Sequence, residues 1–452
     1  MNYLILTALA LMVVTPVAAW EPDTSKFPED KAALPAHLEN MRPGQIRDAV
    51  AQGAVCLLPV GTLEAVADDV PLGADAAATE DALLALAKKR NAVIAPPIWY
   101  TPTGYVLGAP ADGTFDTPTE AFAGYLREVL TTLTALGFKR IEIVLVNNPQ
   151  GKDGALYTTC RFVLGDLFND FWKDPQVGEN WWIRPDFEKL NWARYDIVEL
   201  QVKRPEKRAP AAAPVVQLEH MTPAELRDAL RRGLPCFVPC GVLENHGNQN
   251  PVACDAFEAR EPVLLAAAKA PAVVAPTIWY GPTGYAVTGP KLGTTNIDSR
   301  PYQPYVRGIV EGLAAMGFRN ILLVQVHQGG EGAQGSSAGL AAAQYRSRLH
   351  EQYGPGWGKR LKAEEQKHAR VEVIAVPHGQ YDHAGKNETS WMLHLKPEFT
   401  DLKLLREGDY PYCWEKNGPA KDATAEWGRQ MTEKAVEALV KLMRERTQVK
   451  QP

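Results

Sequence analysis

Short apolar runs alternate with amphipathic stretches along most of the chain. Runs at 55–60, 92–94, 235–240, 272–274 and 321–326 predict buried strands, and a helix is predicted over 256–268. A further helical run with spaced apolar positions stops at Gly317, which is a typical helix-ending residue. This alternation predicts mostly parallel sheets covered by helices, with ligand sites beyond the carboxyl ends of the strands.

The same motifs occur twice, always 180 residues apart. The segment at 59–64 recurs at 239–244, the segment at 95–100 recurs at 275–280, and Pro-Thr-Gly-Tyr at 102–105 recurs at 282–285. The alignment runs without a gap from about residue 38 to about residue 151. Only two copies exist and the period is long, so the pattern indicates a duplicated domain rather than a repeat array.

The duplication predicts two tandem three-layer α/β/α domains, each with a mostly parallel sheet. We place the first domain at 37–202 and the second at 217–452. The segment 203–216 between them contains Pro205, Pro210 and Pro214 around three alanines, which is typical of a semi-rigid linker.

The N-terminal stretch 2–19 is apolar and uncharged, and it closes on small residues before Trp20. Its apolar centre is too short to span a bilayer, so residues 1–19 are interpreted as a secretory signal peptide, followed by a loose arm at 20–36. A retained anchor is the alternative. A signal peptide implies a periplasmic or secreted protein with no membrane attachment after cleavage.

Composition narrows the range of functions. The 452 residues carry a net charge of −5, so the chain has no overall excess of positive charge with which to bind nucleic acid or an anionic lipid surface. Six cysteines are too few for a disulfide framework, although export would permit one or two bridges. Cys236 and Cys240 flank a predicted buried strand, where a small apolar thiol is the simpler interpretation.

Two carboxylates and two imidazoles follow the predicted strands of the second copy. They are Glu244, His246, Asp255 and His327, a ligand set that suits zinc, manganese or iron. For such a site, His246 and His327 must lie within about 8 Å of each other and both must face Asp255, because paired ions lie about 3.5–4 Å apart.

Each of these residues has a structural alternative. Asp255 could be a helix N-cap with Glu258 as its capping-box partner. His327 could be a hydrogen-bonded core histidine, and Glu244 could be a loop carboxylate. The joint pattern favours a metal site, because packing alone does not require four ligand-type residues at the strand ends of one sheet.

The first copy is an internal control. Glu244 and Asp255 correspond to Glu64 and Asp75, but His246 corresponds to Val66 and His327 to Asn147. A site without either imidazole binds a transition metal poorly. The first copy is therefore predicted to be a non-catalytic partner that supports the second copy, covers its cleft or replaces a subunit.

Several motifs of the second copy resemble the creatininase (creatinine amidohydrolase) family in the family's order. They are Glu244-Asn245-His246-Gly247 with Asp255, the Gly289-Pro290 to Gly293-Thr294 segment, the strand that ends in His327, and His383-Ala384-Gly385-Lys386-Asn387-Glu388-Thr389-Ser390. The resemblance covers about 218–402, and in degraded form about 38–151.

The resemblance implies a metal-dependent amidohydrolase with two divalent ions, in which Asp255 bridges the ions. It assigns Glu244, His246, Asp255 and His327 as metal ligands and His383 as the acid/base that protonates the leaving nitrogen. Glu388 would be a ligand or a catalytic carboxylate next to the ligands. A turn and a helix start are the alternative for His383 and Glu388. Relatives that form rings suggest a homo-oligomer.

Some positions depart from the family pattern. A carboxylate usual two residues after the strand-end histidine is Gly329 here, with Glu331 as a nearby substitute, and Gln328 replaces a small residue. Gln249 stands where a second histidine is usual, and Lys386 where many members have Glu. An aromatic lid residue is replaced by Gly379, which leaves Tyr381. These departures argue against creatinine itself as the substrate.

The sequence thus predicts an exported hydrolase of a small cyclic or linear amide. The rival hypothesis is an inactive exported binding or structural protein whose metal site has decayed in both copies. Serine hydrolase chemistry is disfavoured because no Gly-x-Ser-x-Gly elbow is present. The glycine-rich run at 329–335 lacks the Lys-Ser or Lys-Thr ending of a phosphate-binding loop.

Overall fold

A computed structural model describes most of the chain. Nearly all of the predicted signal peptide, arm and linker lies outside it, so those three assignments stay predictions. The described residues are 34, 36–73, 79–146, 151–173, 192–200, 202, 214–328, 332–353, 368–377, 382–406, 410–414 and 418–447.

Each copy contains one four-stranded, fully parallel sheet. The first sheet has the order β2-β1-β3-β4 and the second has the equivalent order β6-β5-β7-β8. The strands are β1 (Val55–Val60), β2 (Ala92–Ile94), β3 (Arg140–Val146), β4 (Arg194–Leu200), β5 (Cys236–Cys240), β6 (Val273–Val274), β7 (Asn320–Gln325) and β8 (Arg370–Ala375).

Helices connect the strands, as parallel pairing requires. Short 3₁₀ turns at Leu38–Asn40 and Leu218–His220 precede the first helix of each copy. The helices are α1 (Pro43–Ala51), α2 (Thr79–Arg90), α3 (Thr119–Ala135), α4 (Ala155–Lys173), α5 (Pro223–Arg231), α6 (Cys254–Ala267), α7 (Ser299–Met316), α8 (Ala333–Tyr353), α9 (Lys386–Leu395) and α10 (Ala425–Arg446).

Strand β1 shows why the domain has three layers. All six of its residues are buried, and successive side chains face opposite sides of the sheet. Val55 and Leu57 pack in one cluster with Leu83 of α2, whereas Cys56 and Leu58 belong to the main core on the other face. The fold predicted from the sequence, two tandem α/β/α units with parallel sheets, is confirmed.

The predicted elements differ from the structure by one or two residues. The strand predicted at 321–326 is Asn320–Gln325, the helix predicted at 256–268 is Cys254–Ala267, and α7 ends at Gly317 with a φ of 119°. The N-cap alternative for Asp255 is wrong. The N-cap of α6 is Ala253, and Asp255 lies within the first turn.

The two copies pack against each other through a pseudo-twofold contact. Tyr125 on α3 and its repeat equivalent Tyr305 on α7 stack with ring centroids 3.9 Å apart. The Tyr125 hydroxyl donates to the carbonyl of Tyr280 at 2.9 Å, and the Tyr305 hydroxyl donates to the carbonyl of Tyr100 at 3.0 Å. Such reciprocal bonding is the hallmark of an isologous interface.

Backbone hydrogen bonds cross the same interface reciprocally. The Val252 N–H donates to Met41 O at 2.9 Å, and its repeat equivalent, the Leu72 N–H, donates to Met221 O at 2.8 Å. Val252 in turn accepts a bond from the Glu244 N–H at 2.8 Å. The first copy therefore braces the loop that carries a predicted metal ligand.

The six cysteines are all free and buried, so none forms a disulfide. Cys236 and Cys240 lie inside β5, as the sequence indicated. Among the described residues, no helix combines the length and the apolarity that a bilayer crossing requires.

The interface predicts a specific packing defect. Gly312 on α7 faces the first copy so closely that an added Cβ would overlap the Phe115 ring and lie 3.0 Å from the Asp116 carbonyl oxygen. We expect Gly312→Ala to lower the free energy of unfolding by about 1–3 kcal/mol, because a packed core resists added volume. The midpoint of urea unfolding measures the change.

Gly339→Ala is the matched control for this substitution. Gly339 also lies inside a helix, α8, but an added Cβ there meets nothing within 4 Å. Alanine should stabilise this position by about 0.5–1 kcal/mol, since glycine is unfavourable inside helices. Equal effects of the two substitutions would contradict the close packing of the copies.

Candidate metal centre and active site

Three neighbouring strands of the second sheet end at the same edge. The loop after β5 carries Glu244 and His246, His327 lies two residues after β7, and Asp382 and His383 follow β8. Helices α6 and α9 begin beside this edge and contribute Asp255 and Glu388 from their first turns. The carboxyl edge of the sheet thus gathers all six residues that the sequence singled out, together with Asp382.

The first donor group contains Glu244, Asp255 and His327. His327 Nδ1 lies 3.2 Å from Glu244 Oε2 and 3.2 Å from Asp255 Oδ2. All three side chains are buried, and their donor atoms lie within 4.8 Å of one another. Two carboxylates and one imidazole in this arrangement are a ligand set for zinc, manganese or iron.

A second donor group lies on the other side of Asp255. His246 Nε2 is 3.7 Å from Asp255 Oδ2 and 3.5 Å from Glu388 Oε2. The same Asp255 oxygen therefore contacts both histidines, which limits the distance between His246 Nε2 and His327 Nδ1 to about 7 Å. The proximity that the sequence hypothesis required is met, and Asp255 lies between the two groups.

The hydrogen bond of His246 orients its ring as in many metal sites. His246 Nδ1 lies 3.0 Å from the Glu244 carbonyl oxygen, which can only accept, so Nδ1 carries the proton. This leaves the lone pair of Nε2 facing Asp255 and Glu388. A metal-bound histidine commonly donates its other ring N–H to a carbonyl or carboxylate in this way.

Electrostatics favour positive charge at the first group. Burial lowers the pKa of His327, but Glu244 and Asp255 outweigh that effect and raise the pKa to about 10. Burial raises the pKa of Asp255, but His246 and His327 outweigh it and lower the pKa to about 2. The carboxylates therefore stabilise a cation at this position, whether a protonated ring or a metal ion.

Two further buried carboxylates increase the negative charge. Burial and the neighbouring carboxylates raise the pKa of Glu388 and of Glu258 well above the ordinary value. Glu258 was interpreted from the sequence as a capping-box partner, but it accepts a hydrogen bond from the Cys254 thiol instead. Repulsion among these acids is relieved when a divalent cation binds between them.

Buried atoms without hydrogen bonds test whether a metal fits. Both carboxylate oxygens of Glu244, Nε2 of His246 and Nε2 of His327 are buried and make no hydrogen bond within the described part of the chain. Buried polar atoms are normally satisfied, so such a concentration requires a reason. Divalent ions fit this donor set and would satisfy Glu244 Oε2 and His246 Nε2 directly.

His383 lies beside the second group but is held differently. Its Nε2 is 3.1 Å from the Asn245 carbonyl oxygen, so Nε2 carries the proton, and the Tyr410 hydroxyl lies 2.8 Å away. Its Nδ1 is left with a lone pair, 3.9 Å from Glu244 Oε2. Burial and the nearby His246 lower the pKa of His383 to about 4.

A model of the creatininase family, described as creatinine amidohydrolase, matches residues 39–199 and 219–443. The chain belongs to the creatininase family. The family and the two-part repeat predicted from the sequence are thereby confirmed.

The sequence identity between this chain and an individual relative is low. The chain is 27% identical to a 3-dehydro-scyllo-inosose hydrolase from Thermotoga maritima over 189 residues, which cover 41% of this chain and 57% of that protein. This chain therefore matches a little over half of that relative's length.

Two solved creatininase structures match about half of this chain. A manganese creatininase has 20% sequence identity and a TM-score of 0.39, with coverage of 52% of this chain and 99% of that one. A mutant creatininase of the Zn-Zn type has 21% identity and a TM-score of 0.39, with coverage of 53% and 100%.

The first creatininase-like copy lacks an equivalent donor set within its described residues. Among all the described residues, each candidate metal-binding group belongs to the second copy. Glu64 is buried like Glu244, but Val66 is 37% exposed where the second copy has the buried His246. Asp75 and Asn147 lie outside the described residues, so the absence of metal from the first copy stays a prediction.

A cavity of about 440 Å³ opens onto the candidate centre. Glu244, Asp255, His327, His383 and Glu388 line one side of it. Ala286, Val287, Val326 and the aromatic Tyr412 line the rest, together with Gln328 and Asp382. This size and mixture of walls suit a small organic molecule.

The departures from the creatininase family pattern have structural roles where they are described. Gln249 donates to Ala384 O at 3.2 Å and to Thr389 Oγ1 at 3.1 Å, which ties the β5 loop to the first turn of α9 and to the segment before it. Gln328 has a positive φ of 52° and donates to Thr283 O at 3.2 Å. Gly329, Glu331, Gly379 and Tyr381 lie outside the described residues.

Sequence reasoning missed four residues of this centre. Cys254 forms a donor group with His246 and Glu388, Asp382 accepts bonds from the first N–H groups of α9, and Tyr410 and Tyr412 surround His383. The only available signals were that Cys254 precedes Asp255 and that Asp382 precedes His383. Nothing in the sequence places Tyr410, since it reaches His383 from 27 residues away.

The repeat provides a matched test of metal binding. We expect Glu244→Gln to weaken binding of zinc or manganese at least about tenfold, because it removes a buried charge from the first donor group. Glu64→Gln, the equivalent change in the first copy, should leave metal content unchanged. Elemental analysis after dialysis measures both. Equal metal content in the two variants would contradict the assignment of the centre to the second copy.

Proposed function

We propose that this protein is an exported, metal-dependent amidohydrolase that cleaves a small cyclic or linear amide with the help of two divalent cations. The observation that carries the proposal is the single Asp255 oxygen shared by two histidine-containing donor groups. Membership in a family described as creatinine amidohydrolase supports hydrolysis of a C–N bond.

The donor groups indicate which residues would hold each cation. Glu244, Asp255 and His327 would hold one. His246 and Glu388, together with the shared Asp255 oxygen, would hold the other. Zinc and manganese suit these ligands, and iron is compatible. When bound, such cations lower the pKa of a water ligand and polarise the carbonyl of a substrate.

His383 is placed to move a proton within the cavity. Its Nε2 lies 3.1 Å from Asn245 O and 2.8 Å from the Tyr410 hydroxyl, so the ring cannot turn without breaking these contacts. Nδ1 therefore faces the acidic side of the cavity with a lone pair. We assign to Nδ1 the acceptance of the proton that the hydrolytic water would release and the transfer of that proton to the leaving nitrogen, a role that needs a positioned imidazole.

Glu388 is held firmly for a role next to the cations. Its Oε2 accepts a hydrogen bond from the Ala384 N–H at 2.6 Å, and its own N–H donates to Asp382. Its carboxylate is therefore oriented toward His246. A ligand role and a catalytic role both follow from this position.

The cavity favours a compact substrate. The apolar side chains Ala286, Val287 and Val326 line the same cavity as the donor groups, so a substrate can present a carbonyl to the donor groups and a hydrocarbon face to these side chains. A relative named as a hydrolase of an inosose makes a cyclic polyol ketone the second candidate substrate class. The rival hypothesis remains an inactive exported binding or structural protein.

A substrate panel and metal removal test the proposed activity. The full chain should contain about two equivalents of metal, hydrolyse at least one member of a panel of small lactams, linear amides and inososes, and lose the activity on chelation. His383→Asn should retain metal while kcat falls about 10²–10⁴-fold, the range for loss of a general acid/base.

Two outcomes would overturn this function. Metal-free protein with no turnover would support the inactive binding protein, and hydrolysis that persists after chelation would exclude metal assistance. Glu64→Gln serves as the control, because the corresponding residue in the first copy should not affect kcat.

Export is a separate part of the proposal and rests on the apolar stretch at 2–19. A signal peptide cut ahead of Trp20 would give a mature protein that begins at Trp20 and is found in the periplasm or medium. N-terminal sequencing of the protein from its host measures this. A mature chain that retains residues 1–19 would contradict export by cleavage.

A further inference from the structure

A second cavity, of about 240 Å³, lies between the two copies and shares no lining residue with the candidate active site. Five repeat-related pairs of residues, with one member of each pair from each copy, contribute to its walls. They include Glu39 and Glu219, Trp99 and Trp279, and Glu80 and Arg260. The cavity therefore lies on the pseudo-twofold axis that relates the copies.

Two carboxylates in this cavity each have one buried oxygen that makes no hydrogen bond within the described part of the chain. Glu219 is only 8% exposed, and while its Oε1 accepts a bond from Gln217 at 3.1 Å, its Oε2 is buried without a hydrogen bond. Glu39 repeats the pattern, with Oε1 at 3.6 Å from His37 Nδ1 and a buried Oε2 that also lacks a hydrogen bond. Burying a carboxylate without a partner is costly, so a positively charged donor is the expected complement.

The charge of the cavity is unbalanced toward acid. Glu39, Glu80 and Glu219 line it, and Glu80 is only partly compensated by His37, whose Nε2 lies 2.8 Å away. Arg260 is the one arginine or lysine among the described lining residues, and it is engaged by Glu261 at 2.8 Å. His220 also lines the cavity, and it and Arg260 offset part of the charge of Glu219. Burial raises the pKa of Glu39 and Glu219, which is the direction expected for acids without a full counter-charge.

Aromatic walls complete the arrangement. Trp99 and Trp279 line the cavity, and an added Cβ on Gly73 would lie 2.8 Å from Glu219 Cβ and 3.1 Å from the Trp99 ring. Trp99 of the first copy therefore borders the same small glycine as Glu219 of the second. Tryptophan faces attract organic cations, and combinations of aromatic rings with carboxylates recognise ammonium and guanidinium groups.

The spacing of the acids disfavours a bare metal ion. Within the described residues, no three potential ligand atoms of this cavity lie within 4.8 Å of one another, whereas three such groups occur at the active site. Carboxylates that do not converge on one point are better matched by an occupant with several donor groups of its own. A planar guanidinium or an alkylammonium group offers several N–H or C–H contacts.

We propose that the cavity on the pseudo-twofold axis is a binding site for a small organic cation, held by Glu39 and Glu219 and enclosed by Trp99 and Trp279. This site is independent of the proposed hydrolytic reaction. It is formed by both copies together, which gives the first copy a ligand-binding role of its own.

Calorimetric titration of the full chain tests this site with methylguanidinium, and with methylurea as a neutral molecule of nearly the same shape. We expect methylguanidinium to bind with 1:1 stoichiometry at concentrations up to about 10 mM, and methylurea not to bind. Glu219→Gln should weaken binding at least about tenfold, because it removes the charge and keeps the shape. Glu39→Gln should act in the same direction and replaces Glu219→Gln if that variant does not fold.

Two control variants establish that the cation binds in this cavity. Glu433→Gln changes an exposed acid on α10 and should leave binding unchanged. Glu244→Gln disables the proposed metal centre and should also leave it unchanged. Absence of binding by methylguanidinium, equal binding of methylurea, or loss of binding in Glu244→Gln rather than Glu219→Gln would each overturn the proposal.

Discussion

The structure depends on the packing of two homologous copies against each other. The stacked rings of Tyr125 and Tyr305 lie at the centre of this contact, and each hydroxyl satisfies a backbone carbonyl of the opposite copy. The main core includes buried residues from both copies, so the two halves share most of their apolar interior. The first copy can lose its imidazoles and still be needed, because the second copy is built on its surface.

The two copies share one fold but differ in the charged residues at their strand ends. Both sheets have the same strand order, and both keep a buried glutamate after the central strand, Glu64 and Glu244. Only the second copy surrounds that glutamate with histidines and further acids, as far as the described residues extend. The fold therefore tolerates either set of strand-end residues, while the concentration of buried negative charge marks the copy that is built around cations.

Sequence patterns predicted the elements whose burial is complete. The central strands β1, β5 and β7 are buried throughout and appear in the sequence as continuous apolar runs. The edge strands β4 and β8 were not predicted, because they are only partly buried and carry charged residues such as Glu199 and Glu372. Their pairing depends on neighbours distant in the sequence, which local periodicity does not record.

The candidate centre was predictable only where ligand-type residues directly follow strands. Glu244, His246 and His327 satisfy that condition, and Asp255 was found through its distance from Glu244. Cys254 was overlooked because a cysteine within an apolar helix suggests packing. The capping-box alternative for Asp255 and Glu258 arose because a glutamate three residues after an aspartate resembles that motif, and the position of Ala253 at the helix start excludes it.

The cavity on the pseudo-twofold axis shows what covalent fusion makes possible. In a dimer of identical chains, every substitution beside the axis appears twice, so an acid introduced there faces another copy of itself. Glu80 and Arg260 occupy equivalent positions yet carry opposite charges. Joining the copies in one polypeptide allowed the residues on each side of the axis to mutate independently. A symmetric contact could thereby become asymmetric in charge.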